Sequence, residues 1–391
     1  MTYSTITNDI LSGTTSGNPG RPKVLIAGAG LAGLTLGMIL QKSDIPYEIF
    51  ESAPAIRPVG AAMVFGPTLA PMFKQCGIYD EFVALGKKNK SINVLNSKGG
   101  KEYSVDFSDE KDMFGEDGYI LTRPVIYDLI YRQIPKDRIH LGKKILSANQ
   151  DSHCVTIKCS DGLEYKGDIL VGGDGAYSVV RKNMYSNVQK EGNLPASDSL
   201  PLPFRTFCLL GQTRKLHITE FPDLAKDPCQ FYSTLGDDNP YAASTTQFTP
   251  AGGVGATNAM HDAVVLANWI HALPNNASAK EISQAFQAYQ SERMPWVQAA
   301  FAHSRAFQVT NSKGYLGKMI RFGVKHMPTW MQRKTAISMN INRPQVGFLD
   351  QADDTGSVRP APQINKLNID MRYNFSVGVR GTGHKNGPSH L

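Results

Sequence analysis

The sequence predicts an α/β fold organised around a strand, a glycine turn and a helix close to its N-terminus. Three observations carry this. The apolar run Lys23–Ala27 leads directly into Gly28-Ala29-Gly30-Leu31-Ala32-Gly33. Helical apolar spacing then runs from Leu31 to Gln41. A second apolar stretch, Tyr47–Phe50, ends in Glu51, 23 residues after Gly28. Strand, helix and strand in about 30 residues is the size of one nucleotide-binding half.

The later elements follow in order. Pro67 to Leu85 reads as a helix with Leu69, Met72, Phe73 and Ile78 on its apolar face. Ser91 to Phe107 alternates and predicts strands of a β-rich insert. Pro124–Tyr131 predicts a helix with proline in its first turn. Ile139 to Tyr165 predicts hairpin strands with a turn at Ser160-Asp161-Gly162, and Asp168–Gly175 another buried strand ending in a glycine turn. Asn183 to Phe248 lacks a strong helical period and is read as a substrate-side sheet. Asn258–His271 and Ala279–Gln308 predict apolar helices, and Lys366–Leu391 a disordered tail.

Composition narrows the class. With 391 residues, 41% hydrophobic and 19% charged, the chain can bury a large core. Its five cysteines are scattered, with no CxxC pair, which argues against a zinc site or disulfide framework and for a reducing compartment. Nine histidines form no HxxxH or HExxH, so no metal is expected. The polar N-terminus up to Pro22 resembles neither a secretory signal nor a presequence, and no run of 18 apolar residues occurs. The expected location is the cytoplasm. Net charge is +7, while Asn311–Leu391 holds 12 Lys and Arg against 4 Asp. A nucleic-acid protein would carry its charge on the folded core, so no nucleic-acid partner is expected. The basic C-terminal helices are read first as packing on the substrate domain, with contact to an anionic membrane surface as the alternative.

The glycines are read chemically. Gly28 permits the tight turn, Gly30 lets backbone approach a pyrophosphate, and Gly33 lets helix and strand pack closely. The helix N-terminus offers free N–H groups and a positive dipole end to phosphates. Glu51 has the spacing of an acid that binds ribose hydroxyls, which favours FAD or NAD over NADP at this site.

Three further segments separate FAD from NAD. They are Arg57-Pro58-Val59-Gly60-Ala61-Ala62-Met63, Leu121–Ile130 with Arg123, and Gly172-Gly173-Asp174-Gly175-Ala176-Tyr177-Ser178-Val179-Val180-Arg181. With these, the sequence resembles the FAD-dependent monooxygenases related to para-hydroxybenzoate hydroxylase, especially the fungal secondary-metabolite epoxidases and hydroxylases. The resemblance runs from Lys23 to about Arg293 and again near Arg343 to Gln363. It implies that Gly60 and Ala61 let the backbone pass the cofactor. It places Arg123 at the flavin's phosphate or ribityl region, where a guanidinium suits phosphate. It makes Asp174-Gly175 a fingerprint between flavin and nicotinamide sites, with Arg181 pairing nearby. It aims Gly252, Gly253 and Gly255, ahead of a helix carrying Asp262, at the flavin's pyrimidine edge.

The implied fold is an FAD-binding Rossmann-type domain with an interleaved, truncated β-rich substrate domain and C-terminal helices. Its implied bounds are a disordered 1–21, an FAD-binding 22–182, a truncated substrate domain 183–249, a return to the FAD-binding domain at 250–310, helices over 311–345, and a mostly disordered 346–391. The implied reaction is monooxygenation of a small organic substrate with O2, bound FAD being reduced by NADPH or NADH. An FAD oxidase or reductase, an NAD-dependent dehydrogenase and an inactive FAD-deficient isoform remain as rivals. Neither the substrate nor the oligomeric state is legible.

One departure from the family matters. A Gly-Asp pair followed by Ala-x-His, whose aspartate binds the ribityl chain, precedes the proline that matches Pro250. Here Ser244-Thr245-Thr246-Gln247-Phe248-Thr249 stands in its place. The interval from Arg181 to Pro250, 69 residues, is also shorter than in the family. An internal deletion joining Phe248 to Thr249 explains both and predicts weak FAD binding.

Overall fold

The computed structural model describes residues 20–56, 62–95, 100–196, 198–199, 217, 219–220, 231–234, 254–310 and 314–363. Gly60, Ala61, Gly252, Gly253, the Phe248–Thr249 junction and the tail from Lys366 lie outside the described residues.

The chain opens with strand β1 (Val24–Ala27), helix α1 (Leu31–Leu40) and strand β2 (Tyr47–Phe50). Next come β3 (Ala62–Phe65), α2 (Ala70–Cys76), α3 (Tyr79–Leu85), β4 (Lys87–Lys88), β5 (Ser91–Leu95) and β6 (Lys101–Asp106). The middle of the chain holds α4 (Glu110–Phe114), β7 (Tyr119–Thr122), α5 (Arg123–Tyr131), β8 (Ile139–His140), β9 (Ile145–Gln150), β10 (Val155–Cys159), β11 (Glu164–Gly167), β12 (Ile169–Gly172) and α6 (Val179–Lys190). It continues with β13 (Phe231–Thr234), α7 (Val254–His271), α8 (Ala279–Thr310), α9 (Gly314–Lys325) and α10 (Thr329–Asn340).

The central sheet is parallel, in the order β12-β1-β2-β8. Val24, Leu25 and Ile26 have no solvent exposure, as expected of a strand covered on both faces. On one face α1 packs against α7 and α5. Leu34, Met38, Ile39, Ile49, Ile126, Ile130, Val264 and Ile270 belong to that single core. At roughly 1.5–3 kcal/mol per buried large apolar side chain, this core dominates the stability. On the other face Leu25, Phe50, Ile157 and Val180 join the β11-β10-β9 sheet and α6 to β1 and β2.

Four expectations need correction. Pro67–Leu85 is not one helix, because Gly77 adopts φ +76 and separates α2 from α3. Ile139–His140 is not a hairpin strand but pairs in parallel with β2 at the sheet edge. Residues 183–190 are helical: Ser178 Oγ accepts the Arg181 N–H, and α6 runs on to Lys190 across the expected boundary at 182. Only Val180 of that helix is buried, so its sequence carries almost no apolar period.

The fourth correction concerns 346–363, which is docked rather than disordered. Val346 has no exposure, and Gln75 holds its N–H and carbonyl. Arg343 pairs with Asp354 at 2.8 Å, and the Ser357 and Val358 amides donate to Asp112 and Met113. Backbone satisfaction by distant partners, invisible in local composition, orders this segment.

Candidate functional site

The glycine turn sits where two crossing points of the sheet meet. Gly28 follows β1 with φ +92, and a Cβ there would lie 2.8 Å from the Gly173 carbonyl oxygen. The Gly173 N–H donates to Ala27 O at 2.8 Å. The turn after β1 and the Gly172–Gly175 turn after β12 therefore pack against each other. A Cβ on Gly33 would collide with the Gly28 carbonyl. Gly30 differs, since its Cβ would have Gly173 O as nearest neighbour at 3.8 Å. The protein's own packing does not demand glycine there. Gly30 is also the N-cap of α1 and brings no side chain to the free amides of that helix.

Glu51 closes the turn from the β2 side. Its Oε2 accepts the Ala29 N–H at 2.9 Å, and its Oε1 accepts the Ala53 N–H at 2.8 Å and the Ser52 hydroxyl at 3.1 Å. Glu51 thus shapes the loop as well as standing where a ribose would be expected.

Arg123 is the first residue of α5 and is exposed. One turn on, Tyr127 reaches the glycine loop and donates its hydroxyl hydrogen to Ala29 O at 2.6 Å. The Tyr127 hydroxyl is pushed up to about 12, first by burial and then by the Glu51 carboxylate and Tyr131, with Arg123 opposing. Arg123, Tyr127 and Glu51 therefore share one electrostatic environment beside the turn. Tyr127 is the site residue that sequence reasoning missed. The available signal was its place four residues after Arg123, on the same face of the helix.

Asp174 connects the second turn to α6. Its Oδ2 accepts the Val179 N–H at 2.6 Å and the Val180 N–H at 3.3 Å. Its Oδ1 is buried and has no hydrogen-bond partner among the described residues. Leaving such an oxygen unmet costs about 1–3 kcal/mol, so it suits a ligand donor. Gly175 has φ +76 and open space around it. Arg181 does not pair with Asp174: its guanidinium donates to Ala176 O at 2.5 Å.

Gly255 lies in the first turn of α7, exposed and with no atom near its would-be Cβ. Asp262, two turns into that helix, meets Arg293 of α8 at 2.6 Å, and Arg293 also donates to Asn258 Oδ1 at 3.1 Å. Burial and the neighbouring Arg293 drive His261 down to about 3, so the imidazole is neutral. These groups hold α7 in place. The Gly28–Gly33 turn, Glu51, Tyr127 and the Gly173–Asp174 turn lie together, with no side-chain cap on α1 and one Asp174 oxygen unmet among the described residues, and Arg123 stands one turn before Tyr127 on α5. They fit a dinucleotide with a pyrophosphate.

Comparison with known proteins agrees. The FAD binding domain family matches residues 21–210. Aurachin C monooxygenase/isomerase of Stigmatella aurantiaca is 32% identical over 161 residues, 41% of this chain and 42% of that protein. The FAD-dependent monooxygenase terM of Tolypocladium album is 30% identical over 191 residues, 48% of this chain and 40% of that protein. The match spans about two fifths of the length of these curated relatives. Among solved structures, Klebsiella pneumoniae HpxO complexed with FAD and uric acid superposes with a TM-score of 0.57 at 18% identity, covering 81% of this chain and 95% of that one. The p-nitrophenol 4-monooxygenase PnpA from Pseudomonas putida gives 0.57 at 14% identity, covering 83% and 99%. At these identities the superpositions show the fold. Residues 21–210 thus carry an FAD-binding domain, similar in sequence to that of FAD-dependent monooxygenases.

Proposed function

We propose that the chain carries the cofactor half of an NAD(P)H-driven monooxygenase, complete at the adenosine–pyrophosphate end of FAD and deficient at the flavin end. The observation that supports this is the packing of the Gly28–Gly33 turn against the Gly173–Asp174 turn, with Glu51 and Tyr127 both holding Ala29 beside Gly30. In this reading Gly30 and the α1 amides take the pyrophosphate, Gly28 and Gly33 set the turn, and Glu51 takes ribose hydroxyls. Arg123 reaches the phosphate or ribityl region, and Asp174-Gly175 offers its unmet oxygen. The resemblance assigns Gly60, Ala61, Gly252, Gly253 and Gly255 to the flavin's path. FAD, when bound, would supply the redox chemistry: with NADPH or NADH as the two-electron reductant, one atom of O2 would enter a small organic substrate, by hydroxylation or epoxidation, and the other would leave as water. No residue here is assigned as an acid or base for that step.

The missing Gly-Asp pair before Pro250 supports the second half of the proposal, since no carboxylate is supplied there for the ribityl hydroxyls. The test is the absorbance spectrum of the purified chain with FAD titration, followed by O2 uptake coupled to substrate oxidation. Substoichiometric, weakly held FAD is the expected result. Stoichiometric flavin overturns the deficiency. Absence of any affinity for FAD or ADP, with NAD bound instead, overturns the FAD reading in favour of a dehydrogenase.

No described helix is long and apolar enough to cross a membrane. We propose that α9 instead lies on an anionic lipid surface. Its inner side packs on β6, with Arg321 paired to Glu102 at 3.1 Å. Tyr315, Met319 and Phe322 form an exposed stripe beside Lys318 and Lys325, and residues 311–349 contain no acidic side chain. Co-sedimentation with phosphatidylserine vesicles but not with phosphatidylcholine vesicles is expected. Equal recovery with both contradicts the proposal.

A further inference from the structure

Ala29 is held from both sides. It is 1% exposed, its N–H is taken by Glu51 Oε2 at 2.9 Å, and its carbonyl is taken by the Tyr127 hydroxyl at 2.6 Å. The carbonyl of Ala29 and the N–H of Gly30 belong to one planar trans peptide and point in opposite directions. Fixing the carbonyl toward α5 therefore aims the Gly30 N–H away from α5. Gly30 is the position whose surroundings are open and whose helix end lacks a side-chain cap.

The clamp has a rigid base. Ile126, Leu129 and Ile130 of α5 are fully buried, and α5 packs on α1 itself. The Tyr127 and Tyr131 rings stack at 6.3 Å and 22°. The hydroxyl also stays protonated, and so remains a donor, through neutral pH.

We propose that Tyr127 is a positioning residue for the dinucleotide: together with Glu51 it fixes the Ala29–Gly30 peptide so that the Gly30 amide is presented to the pyrophosphate. The proposal rests on the FAD-binding reading above. Tyr127 touches neither substrate nor flavin in this account and acts through the loop.

The test uses the full chain and Tyr127→Phe, which keeps the ring and removes the donor. Calorimetric titrations with ADP and with FAD are compared, and amide hydrogen exchange is followed over residues 28–34. Loss of one hydrogen bond predicts roughly 2- to 10-fold weaker binding of both ligands. Exchange over residues 28–34 is expected to quicken by a similar factor, with exchange elsewhere unchanged. Wild-type affinity in Tyr127→Phe overturns the proposal. Faster exchange throughout the domain also overturns it, because the hydroxyl would then serve general stability. If the wild-type chain binds neither ADP nor FAD, the FAD reading fails on its own. The clamp is then decided by exchange, and unchanged protection at residues 28–34 overturns it.

Discussion

The two ends of the molecule are built differently. Around the Gly28–Gly33 turn, a strand whose Val24, Leu25 and Ile26 are 0% exposed leads into a loop whose backbone groups are fixed by Phe50, Glu51 and Tyr127. On the C-terminal side, α9 and α10 expose Tyr315, Met319, Phe322, Trp330 and Met331, and no residue of α10 is buried. The first region is nearly self-sufficient, because a strand, a turn and a helix close in sequence assemble the phosphate end of the site. The second depends on partners far along the chain or outside it. A shortened segment between Arg181 and Pro250 would spare the first region and burden the second.

The largest expected effect strikes the self-sufficient region. Gly33→Ala places a methyl group against the Gly28 carbonyl, which is rigid backbone. A loss of about 3 kcal/mol in urea unfolding is expected, with loss of ADP binding. A variant that folds and binds normally would break the account of the turn.

Acid and base behaviour separates two buried groups. His261 is driven down to about 3, so its stability contribution is present above its ordinary 6.5 and is lost as pH falls toward 3. Glu110 goes the other way: burial, and then Asp117, push it up to about 7, against the Gly118 amide. Its contribution is present below 4.5 and is lost as pH rises through 7. Glu110→Gln should therefore stabilise the chain at pH 8 by on the order of 1–3 kcal/mol and have no effect below pH 4.5. Urea midpoints measured across pH check this, and an effect of the same size at both ends would contradict the assignment.

Arg123 offers a sharper probe of the ligand end. It is exposed and its removal leaves the core untouched, so Arg123→Ala should leave the melting temperature nearly unchanged. Its loss should weaken ADP and FAD by about 10-fold, the scale of a charge-assisted hydrogen bond. Unchanged affinity for both would remove Arg123 from the site. The smallest effect on stability belongs to α9. Phe322→Ser should shift stability by less than about 0.5 kcal/mol. The same variant should reduce recovery on phosphatidylserine vesicles.

Legibility in the sequence follows the same division. The bounds of β2 match the expectation, and those of β1 and α1 differ by a single residue at one end, because apolar runs and glycines there obey local rules. Glu51 was reachable by spacing alone. Tyr127 had only its place four residues after Arg123 to mark it, since a tyrosine on a helix carries no motif and its partner lies 98 residues away. The polar helix α6 escaped because Asp174 and Ser178 start it rather than an apolar stripe. The docking of 343–358 escaped because Gln75, Asp112 and Met113 supply its hydrogen bonds from distant elements.

The central claim is that the adenosine end of the FAD site is intact while the flavin end adds little. The most direct measurement is the affinity of the full chain for ADP set against its affinity for FAD. The account predicts that both bind and that FAD is favoured by no more than about 10-fold, or roughly 1.4 kcal/mol. FAD held stoichiometrically and more than about 100-fold tighter than ADP would contradict it, because the flavin end would then be supplying at least about 2.7 kcal/mol.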